Sequence, residues 1–278
     1  MSNSRILTVA ALALMCGEPA TNRFSANAEA VIAGLDVRAV GAGLNEPAVL
    51  AQYLAQVAHE SGRFLFDEEV WGPTAAQARY DRRTDLGNTA AADGDGKLFK
   101  GRTGIMVTGG DNYRRFRDWC RELFDHVPDF ELEPHRILED PWEGLAPIWF
   151  WETNDLNRYA RKGDIEMVTK TVNGGLNGYA DRLALYPRIA LTLLGYKPDA
   201  VRTFQRTARL SLVDGIAGPK TRAAMHGALT VLPYWYPTQP GANAPGSTNE
   251  AGPAPMSAPE ALLAIRGVLS AYDQSTSA

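Results

Sequence analysis

Two cysteines in 278 residues, Cys16 and Cys120, are too few to build a disulfide framework, and neither belongs to a metal or redox motif. Histidine is scarce too. His59, His126, His135 and His226 stand apart, and His59-Glu60 lacks the second histidine that a zinc-protease helix carries. No charge of one sign dominates: the formal net charge is −4, which gives no general pull toward nucleic acid or anionic membranes. Long apolar runs are missing beyond the N-terminal region, so no membrane span is expected. Asp93-Gly94-Asp95-Gly96 opens like a calcium loop, but Lys97 stands where a third oxygen ligand is needed, so the stretch reads as a plain turn. Neither metal nor cofactor is expected. Ile6 to Met15 has the length of a signal peptide. Only Arg5 precedes it, however, and Met15-Cys16-Gly17 is a poor cleavage site, so the run is read as the first helix of a fold.

What is present is ordinary for a soluble globular protein, 45% hydrophobic and 22% charged, with length for one sizeable domain and a small one. The periodicities are helical. Ser25 suits the N-cap of a helix over 26–35. Residues 71–104 are rich in Gly, Asp, Arg and Thr and read as long loops, which in a compact domain are commonly functional. A helix is expected over 113–126. Trp142, Leu145, Ala146, Trp149 and Phe150 repeat at i, i+3, i+4, i+7 and i+8, an aromatic stripe that reads as core rather than as a sugar platform. Asp164 is placed to cap a helix ending at Asn173-Gly174-Gly175, and a longer helix follows over 178–194 with Pro187 inside it.

The stretch with most chemical content runs from Ala51 to Glu69. Val49, Leu50, Tyr53, Leu54 and Val57 give one apolar face to a helix over 47–60, and Glu60 falls at the end of that face. Partial withdrawal from water helps a carboxyl keep the proton that a general acid donates. Ser61-Gly62 breaks the helix, and a chain turning there can bring Glu60 and Glu69 toward the roughly 6.5–9.5 Å used in inverting glycoside hydrolysis. Read alone, the stretch fits equally a capped surface helix followed by a solvated acidic turn.

HESGRF, then Glu69 nine residues after Glu60, then YDRRTDLGNT, KGRTGIMVTGGDNY and VNGGLNGYADR occur in this order. Together they resemble glycoside hydrolase family 19, the plant-type chitinases and especially the phage endolysins that cut peptidoglycan, over about residues 5–195. The resemblance implies a mainly α, lysozyme-like, two-lobed helical hydrolase. It makes Glu60 the general acid, Glu69 the base that activates water, and Thr108 the residue that holds this water. It makes Asn112 and Tyr80 saccharide contacts, and Asn173 and Arg182 members of an Asn-Gly block that builds the cleft. Without the resemblance, Thr108 would be read as a buried hydroxyl, Asn112 as a helix cap and Arg182 as a surface helix residue. Glu68 is expected to be solvated or structural. One departure stands out: where the family reads Gly-Arg-Gly-x-x-Gln-x-Thr-Gly, this chain has Thr103 for the second Gly and Met106 for the substrate-binding Gln.

VRTFQ and VDGIAGPKTRAAM, within residues 201–225, resemble the second half of the helical peptidoglycan-binding module. Residues 233–256 have linker composition, and Ser257 with Glu260 makes a capping box for a last amphipathic helix. The expected organisation is a catalytic domain over 1–195, a partial wall-binding module over 196–230, a linker over 231–256, and a helix and tail over 257–278. The expected substrate is the β-1,4-linked glycan of bacterial peptidoglycan, with the protein made in the host cytoplasm and reaching the wall through a phage holin or on the virion. The rivals are a lytic transglycosylase, which would not need Glu69, a chitinase, and a non-catalytic wall-binding virion protein.

Overall fold

The computed structural model describes residues 7–235; the expected helix over 257–272 lies outside the described residues. Twelve α-helices are found among them: α1 (Val9–Cys16), α2 (Asn22–Arg38), α3 (Pro47–Glu60), α4 (Ala75–Ala78), α5 (Asp95–Leu98), α6 (Gly110–Arg121), α7 (Trp142–Thr153), α8 (Asn157–Ala160), α9 (Ile165–Asn173), α10 (Tyr179–Leu193), α11 (Val201–Thr207) and α12 (Pro219–Thr230). Only isolated bridges, Glu68 with Arg102 and Arg102 with Val107, represent β structure among the described residues. The fold is mainly α, as the periodicities predict. None of the described helices is long and apolar enough to cross a membrane.

The chain divides into two compact units. In the first, over residues 7–18, 39–59 and 155–235, α10 is the central element. Against it lies α1, whose last turn is tied by Arg188: its Nε donates to Met15 O at 2.8 Å and its Nη2 to Leu14 O at 3.0 Å. The expected first helix is thus packed over Val9–Cys16, with Leu12 and Met15 buried. The Asp164 carboxylate accepts from Met167 N at 3.0 Å to start α9, and Gly174 ends it in the left-handed conformation, as expected. α11 and α12 also pack on α10. The loop between them is organised by Gln205, 1% exposed. Its Oε1 accepts from Gly215 N, and its Nε2 reaches Asp214 Oδ1, Ile216 O and Thr221 Oγ1. That single amide accounts for the spacing between VRTFQ and VDGIAGPKT.

The second unit, over residues 19–38 and 60–154, is built on α2, α6 and α7. Its core joins Phe99, Tyr113, Phe116, Phe130, Trp142 and Trp149, with Phe116 stacked on Phe130 at 5.3 Å, so the aromatic stripe is core. Two boundaries differ from the sequence expectation. α2 starts at Asn22 rather than at residue 26, because the Thr21 hydroxyl accepts from Phe24 N; Ser25 is inside the helix. α6 starts at Gly110 rather than Tyr113 and stops at Arg121. The region 71–104 is not loop throughout, since it contains α4, α5 and single 3-10 turns at Tyr80–Arg82 and Thr84–Leu86.

Candidate active site

Glu60 is the last residue of α3 and is half-buried. The helix stops there because Gly62, Arg63 and Phe64 all take positive φ, 58°, 61° and 62°. L-residues rarely string together in this region, at roughly 1–2 kcal/mol each for those with a Cβ. Such a turn persists where its surroundings over-determine it. Here Ser61 Oγ accepts from Phe64 N at 2.8 Å, Asn27 Nδ2 donates to Phe64 O at 3.0 Å, and buried Phe64 packs edge-on against Phe24 at 5.6 Å. The serine of HES is therefore a brace for the turn.

Glu69 lies beyond that turn and is also half-buried. Both its oxygens have fixed donors: Gln77 Nε2 donates to Oε1 at 2.9 Å, and Gly101 N donates to Oε2 at 3.2 Å. Gly101 also approaches Thr108, whose Oγ1 lies 3.1 Å from the position a Cβ on Gly101 would occupy. Glu69 and Thr108 thus both neighbour one glycine, with the Met106 side chain as close to its Cβ position as Thr108 Oγ1. Asn112, in the first turn of α6, donates from Nδ2 to Thr108 O at 2.8 Å and fixes the backbone that carries the hydroxyl. Tyr80 is half-buried, with its ring 6.5 Å from that of Trp71. Glu68 is structural, paired with Lys100 at 2.9 Å and Arg102 at 3.4 Å.

The loop that presents Thr108 is knitted from within. Arg102, buried, donates from Nη1 to Leu98 O and to Tyr113 Oη at 2.7 Å, and Tyr113 Oη donates to Lys100 O. Burial pushes the Tyr113 hydroxyl up to about 12, so it remains a donor throughout the neutral range. Thr103 has φ 75°, in the left-handed region, which explains why glycine suits this position. Its N–H donates to Asp67 O at 2.6 Å and its hydroxyl to Ile105 O at 3.0 Å, two bonds that hold the threonine there. Met106 and Asn112 help line a groove of about 530 Å³ together with Arg115, Trp119, Trp149 and Phe150. A larger recess of about 830 Å³, lined by Phe124, His126, Arg136, Asp140 and Trp142, includes none of the expected site residues.

Asn173 and Arg182 belong to the first unit. Asn173 is exposed at the end of α9. Arg182 is not a surface residue: it is fully buried, and its Nε donates to Gln56 Oε1 at 2.6 Å. Beside it His59 Nδ1 lies 2.7 Å from Asp181 Oδ2, and a Cβ on Gly178 would collide with the His59 ring. The Asn-Gly block therefore grips Gln56 and His59, the residues four and one before Glu60.

Two residues that carry weight here were not singled out from sequence. Gln77 is one. The other is Glu143, in the first turn of α7, whose carboxyl is pushed up to about 8 by burial, with the nearby charges of Asp67 and Asp140 adding to it. A folded-state pKa above the unfolded value means that the stabilising, protonated form is fully present below about pH 4 and is lost as pH rises through about 8. Glu143→Gln should therefore melt with the wild type near pH 4.5 and gain over it steadily up to pH 8.5, by roughly 2–4 kcal/mol. Thermal melts of both proteins across that range check this; parallel curves would show that Glu143 ionises as in the unfolded chain.

Comparison with known proteins bears on the whole arrangement. Two solved structures share the fold. Chitinase C from Streptomyces griseus aligns with a TM-score of 0.53 at 15% identity, over 71% of this chain and 79% of that one. A bacterial family 19 chitinase aligns with a TM-score of 0.52 at 18% identity, over 69% and 96%. The fold is thus the lysozyme-like helical one of these glycosidases. In sequence, the chain is 31% identical over 169 residues to a "Glycosyl hydrolase family 19 domain-containing protein" of Haemophilus influenzae, covering 51% of this chain and 78% of the relative. The chain belongs to glycoside hydrolase family 19. It is a glycoside hydrolase, and residues 198–225 match a second family, described as "Putative peptidoglycan binding domain".

Proposed function

We propose that this enzyme hydrolyses β-1,4 bonds in the glycan strands of bacterial peptidoglycan by single displacement with inversion, as an endolysin does. Glu60 protonates the leaving oxygen. Glu69 deprotonates a water held by Thr108, and this water attacks the opposite face of the sugar ring. Asn112 and Tyr80 contact saccharide, while Asn173 and Arg182 act within the Asn-Gly block of their own unit. The observation that carries the reading is the grouping of the Glu69 carboxylate and the Thr108 hydroxyl around Gly101, in a family 19 chain. A base needs its carboxylate fixed, and the bonds from Gln77 and Gly101 to Glu69 support this reading. The segment over 198–225 supports peptidoglycan as the polymer; the setting that goes with this reading is a phage one, with holin-dependent or virion-borne access to the wall. The organisation that goes with this reading is a catalytic domain over 1–195 followed by a wall-binding segment over 196–230.

A second reading, chitin as substrate, is supported by the names of the structural neighbours. Digestion of purified sacculi and of chitin oligomers, with mass analysis of the products, separates the readings. Hydrated muropeptides from sacculi are expected. Anhydro-muropeptides would replace hydrolysis by transglycosylation, and release from chitin alone would move the substrate.

A further inference from the structure

We infer that Gln77 is a positioning residue for the base, fixing one oxygen of the Glu69 carboxylate so that the other faces the water held by Thr108. The inference rests on the reading of Glu69 as base. Gln77 sits in α4, a single turn, and is 6% exposed although Thr74, Ala75, Ala76 and Ala78 around it are all exposed. All four hydrogen-bonding positions of its amide are used. Oε1 accepts from Thr74 N at 2.7 Å and Gly72 N at 3.2 Å; Nε2 donates to Glu69 Oε1 and to Val70 O, both at 2.9 Å. With the oxygen committed to two backbone N–H groups, the amide cannot flip, so the NH2 group must point at Glu69.

The two oxygens of Glu69 are then unlike. Oε1 is anchored by the short bond from Gln77. Oε2 has the longer bond, from the N–H of Gly101, the residue whose Cβ position Thr108 Oγ1 approaches. Oε2 is the oxygen that takes the proton as the water's O–H bond breaks and its oxygen bonds to the sugar carbon, with Glu60 giving its proton to the departing oxygen. With Gln77 holding one oxygen and Gly101 N the other, the carboxylate cannot rotate freely, and small misplacements of a reacting group are costly in rate.

A structural staple would share many of these contacts, so the test needs variants that separate the roles. Thr74→Ala removes the other half of the capping box, the bond from Gln77 N to Thr74 Oγ1, and leaves the donor to Glu69. It should lower the melting temperature and keep kcat. Gln77→Ala should lower kcat about 10- to 100-fold with KM within twofold, on whichever substrate the wild type cleaves. Gln77→Glu keeps the acceptor for Gly72 and Thr74 but donates to Glu69 only while protonated. Two carboxyls sharing one site hold a proton strongly and repel once it is lost. Its kcat relative to wild type should therefore fall at least tenfold from pH 5 to pH 8, a new alkaline limb that a staple would not create. A Gln77→Glu profile parallel to wild type, or Gln77→Ala with normal kcat in the folded protein, overturns the inference. Near-normal turnover by Glu69→Gln would instead remove the reading of Glu69 as base, a distinguishable result.

Discussion

Glu60→Gln should abolish glycan cleavage, and Glu69→Gln should lower it by roughly 10²–10⁴-fold, the range that positioned acid–base groups contribute. The amide at position 60 keeps shape but has no proton acidic enough to give the leaving oxygen. The amide at 69 cannot take a proton from water, and it also presents an NH2 group or an oxygen, not a carboxylate, to the Gln77 amide and Gly101 N. Binding to insoluble wall and melting temperature should both stay near wild type, because neither change opens a cavity. Glu68→Gln is the internal control. Its partners are Lys100 and Arg102 on a partly exposed ion pair, so most activity should remain. Proton NMR of the first product should show the α-anomer, since water attacks opposite the leaving group. A β-anomeric first product would point to a different pair of roles, and an active Glu69→Gln to a mechanism with a single carboxyl.

How much of this could be read beforehand depends on the range of the interaction. The end of α3 at Glu60 was legible because Ser61-Gly62 is a local break, and the ends of α9 were legible from Asp164 and Gly174. The aromatic stripe over 142–150 read correctly because helical spacing alone places it on one face. The positive φ of Arg63 and Phe64 was not legible, since it depends on Asn27, 37 residues before Phe64. Gln77 left a trace that could have been followed: Thr74-x-x-Gln77 is a capping-box spacing. The trace shows a helix start but not that the same amide reaches back to Glu69. Glu143 left none, because a carboxyl in the first turn of a helix is ordinary and its environment comes first from burial, with Asp67, 76 positions away in the chain, adding to it. Arg182 became buried for the same reason, through Gln56 on another helix.

The largest loss of stability is expected from Gly144→Ala. Alanine is ordinarily the better helix former, by about 1 kcal/mol, and position 144 lies inside α7. Propensity alone therefore predicts a gain. The packing predicts the opposite, because α7 and α2 cross at this point with backbone against backbone. A Cβ on Gly144 would overlap the carbonyl oxygen of Ala30 and lie 2.8 Å from Gly34 N, and one on Gly34 would overlap the Gly144 carbonyl. Neither obstacle is the end of a flexible side chain, so relief requires the helices to part. Parting them strips contacts from two close-packed helices that carry buried Val31, Leu35, Leu145 and Ile148. Overpacking against backbone belongs at or above the upper end of the usual 1–3 kcal/mol, so a net loss of about 3 kcal/mol remains after the gain in propensity. In a chain of this size that lowers the melting temperature by about 5 °C. Gly175→Ala, with nothing within 4 Å of its added Cβ, should leave the melting temperature within about 2 °C. Differential scanning calorimetry on the two variants decides the matter: a Gly144→Ala protein as stable as wild type would mean that α2 and α7 do not meet at these glycines.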